Sequence, residues 1–179
     1  MKKLDKAYIA GGCFWCIEAP LQRVAGVERA ISGYMGGKTA NPTYQDICSG
    51  STGHAEVVEI EYDSDVLSYQ QLLLIFFSMH DATQLNRQGN DIGTQYRSAI
   101  FYKDTEQQHT AQQVIDALKQ SGEYQRPIVT TLEPQQTFYP AEEAHQHYFD
   151  RNPWQPYCQI IIAPKLEKLQ SLFADYLKK

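Results

Sequence analysis

The sequence predicts an α/β two-layer sandwich, with helices packed against a mixed or antiparallel sheet. Three observations carry that prediction. Strand-like and helix-like patterns alternate along the chain. The 179 residues are one domain's worth of chain, since single cores of roughly 100–200 residues are the norm. The composition is even from end to end, with no internal repeat, low-complexity segment or linker, so residues 1–179 are expected to form one domain.

The elements follow in order. Lys6 to Ala10 reads as a short strand ended by Gly11-Gly12. Cys16 to Val24 reads as a helix, either interrupted by Pro20 or carrying it in its first turn, the one place a helix tolerates proline freely. Gly26 to Tyr34 is a second strand, and Gly36 to Gly53 a long polar loop. His54 to Tyr62 alternates as a strand. Ser68 and Gln71 form a capping box ahead of Leu72, Leu73, Ile75 and Phe76, so a helix runs from there to near His80. Asp81 to Gln95 is a second polar loop, and Arg97 to Tyr102 a strand. Asp104 caps a helix that runs to about Gln120, with Gly122 just beyond it. Ile128 to Leu132 is expected as a strand, Ala141 to Phe149 as a helix and Gln159 to Ile162 as a short apolar strand. Leu166, Leu169, Leu172, Phe173, Tyr176 and Leu177 keep helical spacing. Long loops inside a compact domain are usually functional, so the two polar loops and the first strand-to-helix turn are where a site is expected.

Composition narrows the function classes. Hydrophobic residues make up 42% and charged residues 21%, which is ordinary for a globular chain and excludes a disordered one. A chain of this length buries about 70% of the surface it exposes when unfolded. It needs no disulfide staples. The 16 basic and 21 acidic residues leave a net charge of −5, which gives no support for binding a phosphate backbone. No apolar run approaches the roughly 20 residues of a membrane helix. The start, Met1-Lys2-Lys3-Leu4-Asp5-Lys6, has no apolar stretch behind it, so no signal peptide is read and the cytoplasm is the expected location. Four cysteines in a reducing compartment suggest chemistry or metal before structure.

The strongest local feature is Gly11-Gly12-Cys13-Phe14-Trp15-Cys16, between a strand and a helix. A cysteine there meets the partial positive charge and free N–H groups of a helix start. Both stabilise a thiolate, the nucleophilic form. The alternative is a small buried hydrophobe, which cysteine often is. For Cys16 both readings stand: three positions along a helix share a face, so it either reaches Cys13 or points into the core. The C-x-x-C spacing also fits a thioredoxin-like disulfide exchanger or half of a zinc site. The second half of such a site is missing. Cys48 and Cys158 stand alone, and His145 and His147 complete no ligand pattern.

These residues resemble a known family, the peptide methionine sulfoxide reductases of the A type. Gly-Cys-Phe-Trp in a strand-to-helix turn is the first match. Ser32-Gly33-Tyr34-Met35-Gly36-Gly37, Asn41-Pro42-Thr43-Tyr44 and the stretch from Cys48-Ser49-Gly50 to Thr52-Gly53-His54-Ala55-Glu56 follow in the family's order. So do Asn90-Asp91-Ile92-Gly93-Thr94-Gln95-Tyr96-Arg97-Ser98, and Phe138-Tyr139-Pro140-Ala141-Glu142 with the later His145-Gln146. The resemblance covers about Lys6 to Cys158.

The resemblance implies a ferredoxin-like core within the sandwich, and reduction of methionine S-sulfoxide, free or in proteins, to methionine. One enzyme serves each sulfoxide epimer. It implies Cys13 as nucleophile, Glu56 as acid, and Tyr44 and Tyr96 as hydroxyl donors to the sulfoxide oxygen. Asp91 would order the polar network, and Phe14 and Trp15 would wall the substrate methyl group. Without the family, Glu56 reads more readily as a solvated strand residue. Tyr44 and Tyr96, two tyrosines among twelve, read as packing. The oxidised Cys13 would be resolved to a disulfide by Cys158, in Pro156-Tyr157-Cys158 on a segment expected to be mobile, or by Cys16, which stands where many members have glycine. Cys48 is expected to be structural. Thioredoxin or a similar dithiol would recycle the disulfide. No cofactor, metal or nucleic acid is implied, no membrane is involved, and a monomer is the default.

Overall fold

The computed structural model describes residues 3–178; Met1 and Lys2 of the basic start, and Lys179, lie outside them. The first strand, β1, runs Leu4–Ala10, and α1 (Phe14–Leu21) leads to β2 (Val27–Met35). A short α2 (Tyr44–Cys48) precedes β3 (Ala55–Asp63) and α3 (Tyr69–Ser78). Two-residue strands β4 (Arg87–Gln88) and β5 (Asp91–Ile92) pair as a hairpin. Then come β6 (Ala99–Tyr102), α4 (Thr105–Ser121), β7 (Thr131–Pro134), β8 (Tyr139–Pro140), α5 (Tyr148–Arg151) and α6 (Ala163–Phe173).

The main sheet has the order β7-β6-β1-β3-β2-β8. All neighbours are antiparallel except β6 and β7, so the sheet is mixed, as expected. Its centre, β6-β1-β3-β2, is built from two strand–helix–strand units, with α1 and α3 as the crossovers. That is the ferredoxin-like arrangement.

Alternation sorts the strands' side chains. On β1, Ala7 and Ile9 join the core under the helices, while Tyr8 and Ala10 join a smaller cluster on the other face with Met35, Val57 and Phe101. Both faces are therefore covered, and the helices supply Phe14, Ile17, Leu72, Phe76 and Val114 to the larger core.

Local signals set most boundaries. Ser68 and Gln71 exchange side-chain and backbone bonds at 3.1 and 3.0 Å. Asp104 accepts from the Gln107 N–H at 2.8 Å, and α4 stops at Gly122 with φ of 75°. Elsewhere the structure departs from the pattern. α1 begins at Phe14, so Pro20 sits in its last turn, where few N–H bonds remain to be lost. The loop 36–53 contains α2, whose Thr43–Asp46 capping box was present in the sequence. The expected helix over 141–149 is broken into a 3₁₀ turn, Glu143–His145, and α5, with His147 between them at φ of 53°. The cause is distant: Gln146 bonds Ser32 of β2 on both sides, and the His147 N–H donates to Glu18 of α1 at 2.7 Å. The expected strand over 159–162 is a π-helical turn, Cys158–Ile162, continuous with α6. Its isoleucines spread around that turn, from fully buried Ile162 to Ile160 at 70% exposure.

Gly12 shows how tightly the first turn is built. Its φ is 91°, and a Cβ there would lie 2.7 Å from Gln88 Cβ. Gln88 cannot swing freely, because its amide bonds both N–H and C=O of Asp81. Gly12→Ala is expected to cost about 2–4 kcal/mol in strain and overpacking, read as a clear fall in Tm. A Tm within 1 °C of the parent, on the order of a few tenths of a kcal/mol, would contradict this.

Candidate active site

α1 starts where β1 stops. Gly11 and Gly12 turn the chain, and Cys13 is the N-cap, with extended backbone and no side chain capping the helix. The first N–H groups of α1 are therefore free to act within the site. One of them, on Phe14, donates to Glu56 Oε1 at 3.1 Å.

Glu56 lies on β3 opposite Tyr34 of β2 and is 1% exposed. Burial pushes its carboxyl up to about 8. The charges of Asp91 and Cys16 add to the rise, while the Phe14 N–H and Cys13 oppose it. At neutral pH Glu56 thus holds its proton for the most part. Its other oxygen, Oε2, is buried and has no hydrogen-bond partner among the described residues.

Cys13 is 5% exposed. It is not sealed, because it lines a cavity of about 380 Å³ with Cys16, Asp91, Tyr157, Ile161 and Lys165. Burial holds its thiol well above the ordinary range. The hydrogen bond with Cys16 and the Glu56 charge push the same way, and the Trp15 N–H opposes them. This corrects the expectation drawn from the helix end alone: the N–H contribution is present, but desolvation outweighs it. Cys16 is held below its ordinary value by its bond with Cys13, by the Lys165 charge and by the Tyr157 hydroxyl, against burial.

Tyr44 opens α2 and Tyr96 ends the 3₁₀ turn Thr94–Tyr96. Burial, then Glu56, holds both phenols well above the ordinary range, so both remain proton donors at neutral pH. Phe14 is fully buried, its ring centre 5.7 Å from Tyr34 and 6.4 Å from Tyr44. Trp15 stacks on Tyr148 at 3.7 Å and meets Tyr157 edge-on at 5.8 Å. Asp91, on β5, accepts from the Tyr157 hydroxyl at 2.7 Å.

The loops and the first turn thus bring Cys13, Phe14, Trp15, Tyr44, Glu56, Asp91 and Tyr96 to one region. Of the two resolving candidates, Cys16 sits one helical turn from Cys13, its N–H donating to the Cys13 carbonyl at 3.0 Å, and lines the same cavity. Cys158 is fully buried in the π turn. Cys48 is exposed at the end of α2, so it is not a packing residue.

Tyr157, Tyr148 and Lys165 were missed. Each reaches the site through the C-terminal segment, and nothing in its own sequence neighbourhood signals that. A cavity of about 890 Å³ beside β2 is lined by none of the expected site residues. Among the described residues no group of three or more His, Cys, Asp or Glu side chains could hold a metal ion.

Two neighbouring thiols can pass two electrons to an oxidised substrate by forming one disulfide, which an external dithiol then reduces. The class of protein defined by this site is a cysteine-dependent oxidoreductase. The profile of the peptide methionine sulfoxide reductase family matches residues 5–177. The peptide methionine sulfoxide reductase MsrA of Natronomonas pharaonis is 53% identical over 169 residues, covering 94% of this chain and 95% of its own. That of Nautilia profundicola is 54% identical over 92% of this chain and 94% of its own. Reduced Mxr1 from Saccharomyces cerevisiae superposes with a TM-score of 0.79 at 33% identity, covering 87% of this chain and 90% of its own. Methionine sulfoxide reductase A of Corynebacterium diphtheriae gives 0.74 at 34%, covering 86% and 78%. The chain belongs to the peptide methionine sulfoxide reductase family.

Proposed function

We propose that this chain, acting as one catalytic domain over residues 1–179, reduces methionine S-sulfoxide, free or within proteins, to methionine. The observation that carries the reading is that the buried, proton-holding Glu56 of β3 accepts from the Phe14 N–H, directly beside Cys13 at the start of α1.

The sulfoxide sulfur needs a soft nucleophile, and its oxygen needs a proton as the S–O bond weakens. Glu56 supplies that proton, and Tyr44 and Tyr96 donate hydrogen bonds to the oxygen as charge develops on it. Phe14 and Trp15 hold the methyl group, which at about 1–3 kcal/mol orients the substrate more than it anchors it. Asp91 keeps the polar side of the pocket in order through Tyr157. Cys13 sulfur attacks the sulfoxide sulfur; the protonated oxygen then passes to Cys13 as its bond to the substrate sulfur breaks, two electrons pass to the substrate, and methionine leaves with Cys13 as its sulfenic acid. The Cys13 thiol proton restores the Glu56 carboxyl. While Glu56 is neutral it also spares Cys13 a repelling charge, so the acid and the nucleophile favour one another below about pH 8.

Cys16 then resolves the sulfenic acid. Its place one helical turn from Cys13 on the same cavity and the burial of Cys158 support it over Cys158. Thioredoxin or a similar dithiol recycles the disulfide, a reading supported by the structure of yeast Mxr1 in complex with Trx2. The chain works as a monomer in the cytoplasm, without nucleic acid; among the described residues no helix is long and apolar enough to cross a membrane.

The test is turnover with thioredoxin and its reductase on a methionine-sulfoxide peptide. Cys16→Ser is expected to stop after about one methionine per chain, the yield of a single Cys13 oxidation. Cys158→Ser is expected to turn over. The reverse pattern would assign the resolving role to Cys158. Loss of even the first methionine in both variants would reject the scheme.

A further inference from the structure

Lys165 is unusual for a lysine. It is half-buried in the first turn of α6, and among the described residues it makes no ion pair with a carboxylate. Its ammonium donates to the Met79 carbonyl at the end of α3. It faces the cavity of Cys13 and Cys16 together with Asp91 and Tyr157. Withdrawing an ammonium from water without a paired anion is costly, and burial indeed lowers its proton affinity. Tyr157 is placed as unusually. Its oxygen lies 3.3 Å from Cys16 Sγ and 2.7 Å from Asp91 Oδ2, so the phenol proton has two takers. Both residues flank the π turn Cys158–Ile162, a form of helix found mostly at functional positions.

We propose that Lys165 and Tyr157 prepare Cys16 for its attack on oxidised Cys13, Tyr157 by direct hydrogen bonding to the sulfur and Lys165 as a positioning charge behind it. The inference rests on the reading that Cys16 is the resolving thiol. In that step the Cys16 sulfur bonds to Cys13 sulfur, the Cys13 S–O bond breaks, and the oxygen leaves as water carrying the Cys16 thiol proton. Two electrons pass from Cys16 to Cys13. As the Cys16 proton departs, the Tyr157 phenol turns from Asp91 toward the sulfur, and the Lys165 charge stabilises the anion forming there. The ionisable groups facing Cys16 are Cys13, Glu56, Asp91, Tyr157 and Lys165, with Cys158 and Lys168 further out. Only the two lysines among them carry positive charge. The simpler role for Lys165 is as a cation capping the carbonyl end of α3.

A single-turnover experiment on the full chain separates the two roles. A methionine-sulfoxide peptide is mixed with reduced enzyme. Quenched samples are read for methionine released and, by mass spectrometry, for the disulfide formed. Lys165→Met is expected to slow Cys13–Cys16 disulfide formation by about tenfold at pH 7 and to raise the pH midpoint of that step by about one unit. Methionine release should change far less. Lys165→Arg should restore the midpoint, and Tyr157→Phe should slow the same step. A mere cap would lower Tm and leave the pH profile in place. Unchanged disulfide rate and midpoint in Lys165→Met, with Cys13 still joined to Cys16, would overturn this proposal alone. A parent-enzyme disulfide joining Cys13 to Cys158 would overturn the Cys16 reading with it.

Discussion

Cys13→Ser is expected to abolish methionine formation, a loss of at least about 10,000-fold, as when other enzymes lose their nucleophile. Oxygen accepted by a cysteine sulfur gives a sulfenic acid, a stable step on the way to a disulfide. Oxygen accepted by a serine would need a weak O–O bond, so the hydroxyl cannot take over the role. Serine is smaller and is itself a favoured N-cap, so the variant should fold. Its Tm and circular dichroism should match the parent while methionine release falls to background. Parent-level release from this variant would end the assignment.

Glu56→Gln is expected to slow methionine release in a single turnover by about 100- to 10,000-fold, the usual worth of a general acid. The amide keeps the shape and can still accept from the Phe14 N–H, so Cys13 remains in place. The pH dependence should follow. In the parent, release falls as pH rises through about 8, where Glu56 ionises and its charge turns against Cys13. In Glu56→Gln that limb should flatten. Stability carries the same signature. The folded-state carboxyl is raised from 4.5 to about 8, so its contribution is fully present below pH 4.5 and is lost as pH climbs to about 8. The slope over that window is roughly 1.4 kcal/mol per pH unit at most. Chemical denaturation from pH 5 to 9 should show that slope in the parent and its loss in Glu56→Gln. Equal slopes, together with an unchanged release rate, would remove Glu56 from the acid role.

The parts of this molecule that were legible in its sequence are those fixed by local chemistry. Alternating residues in β1 and β3 gave the strands, Ser68 with Gln71 gave the start of α3, and Asp104 with Gly122 framed α4. The turn at Gly11-Gly12-Cys13 pointed to the nucleophile because a strand, two glycines and a cysteine allow few other readings. What could not be read depends on residues far apart in the chain. Residues 141–149 look helical until Gln146 finds Ser32 and His147 finds Glu18. Residues 159–162 are β-branched, yet they pack as a π turn ahead of α6. Glu56 alternates like a solvated strand residue, and only the assembled fold buries it. Tyr157 meets Cys16 across 141 positions, and Lys165 sits in an amphipathic helix where lysine is unremarkable. The thiolate expected of Cys13 failed for a related reason. The helix end is local, but the burial that outweighs it comes from the whole fold.

The most direct measurement of the central claim is to trap the oxidised sulfur. The enzyme carrying both Cys16→Ser and Cys158→Ser is given one equivalent of methionine-sulfoxide peptide in the presence of a 1,3-dicarbonyl probe that captures sulfenic acids, and the labelled residue is mapped by mass spectrometry. The account predicts one probe on Cys13 for each methionine released. Methionine released with Cys13 unlabelled, or with the probe on Cys48, would contradict it.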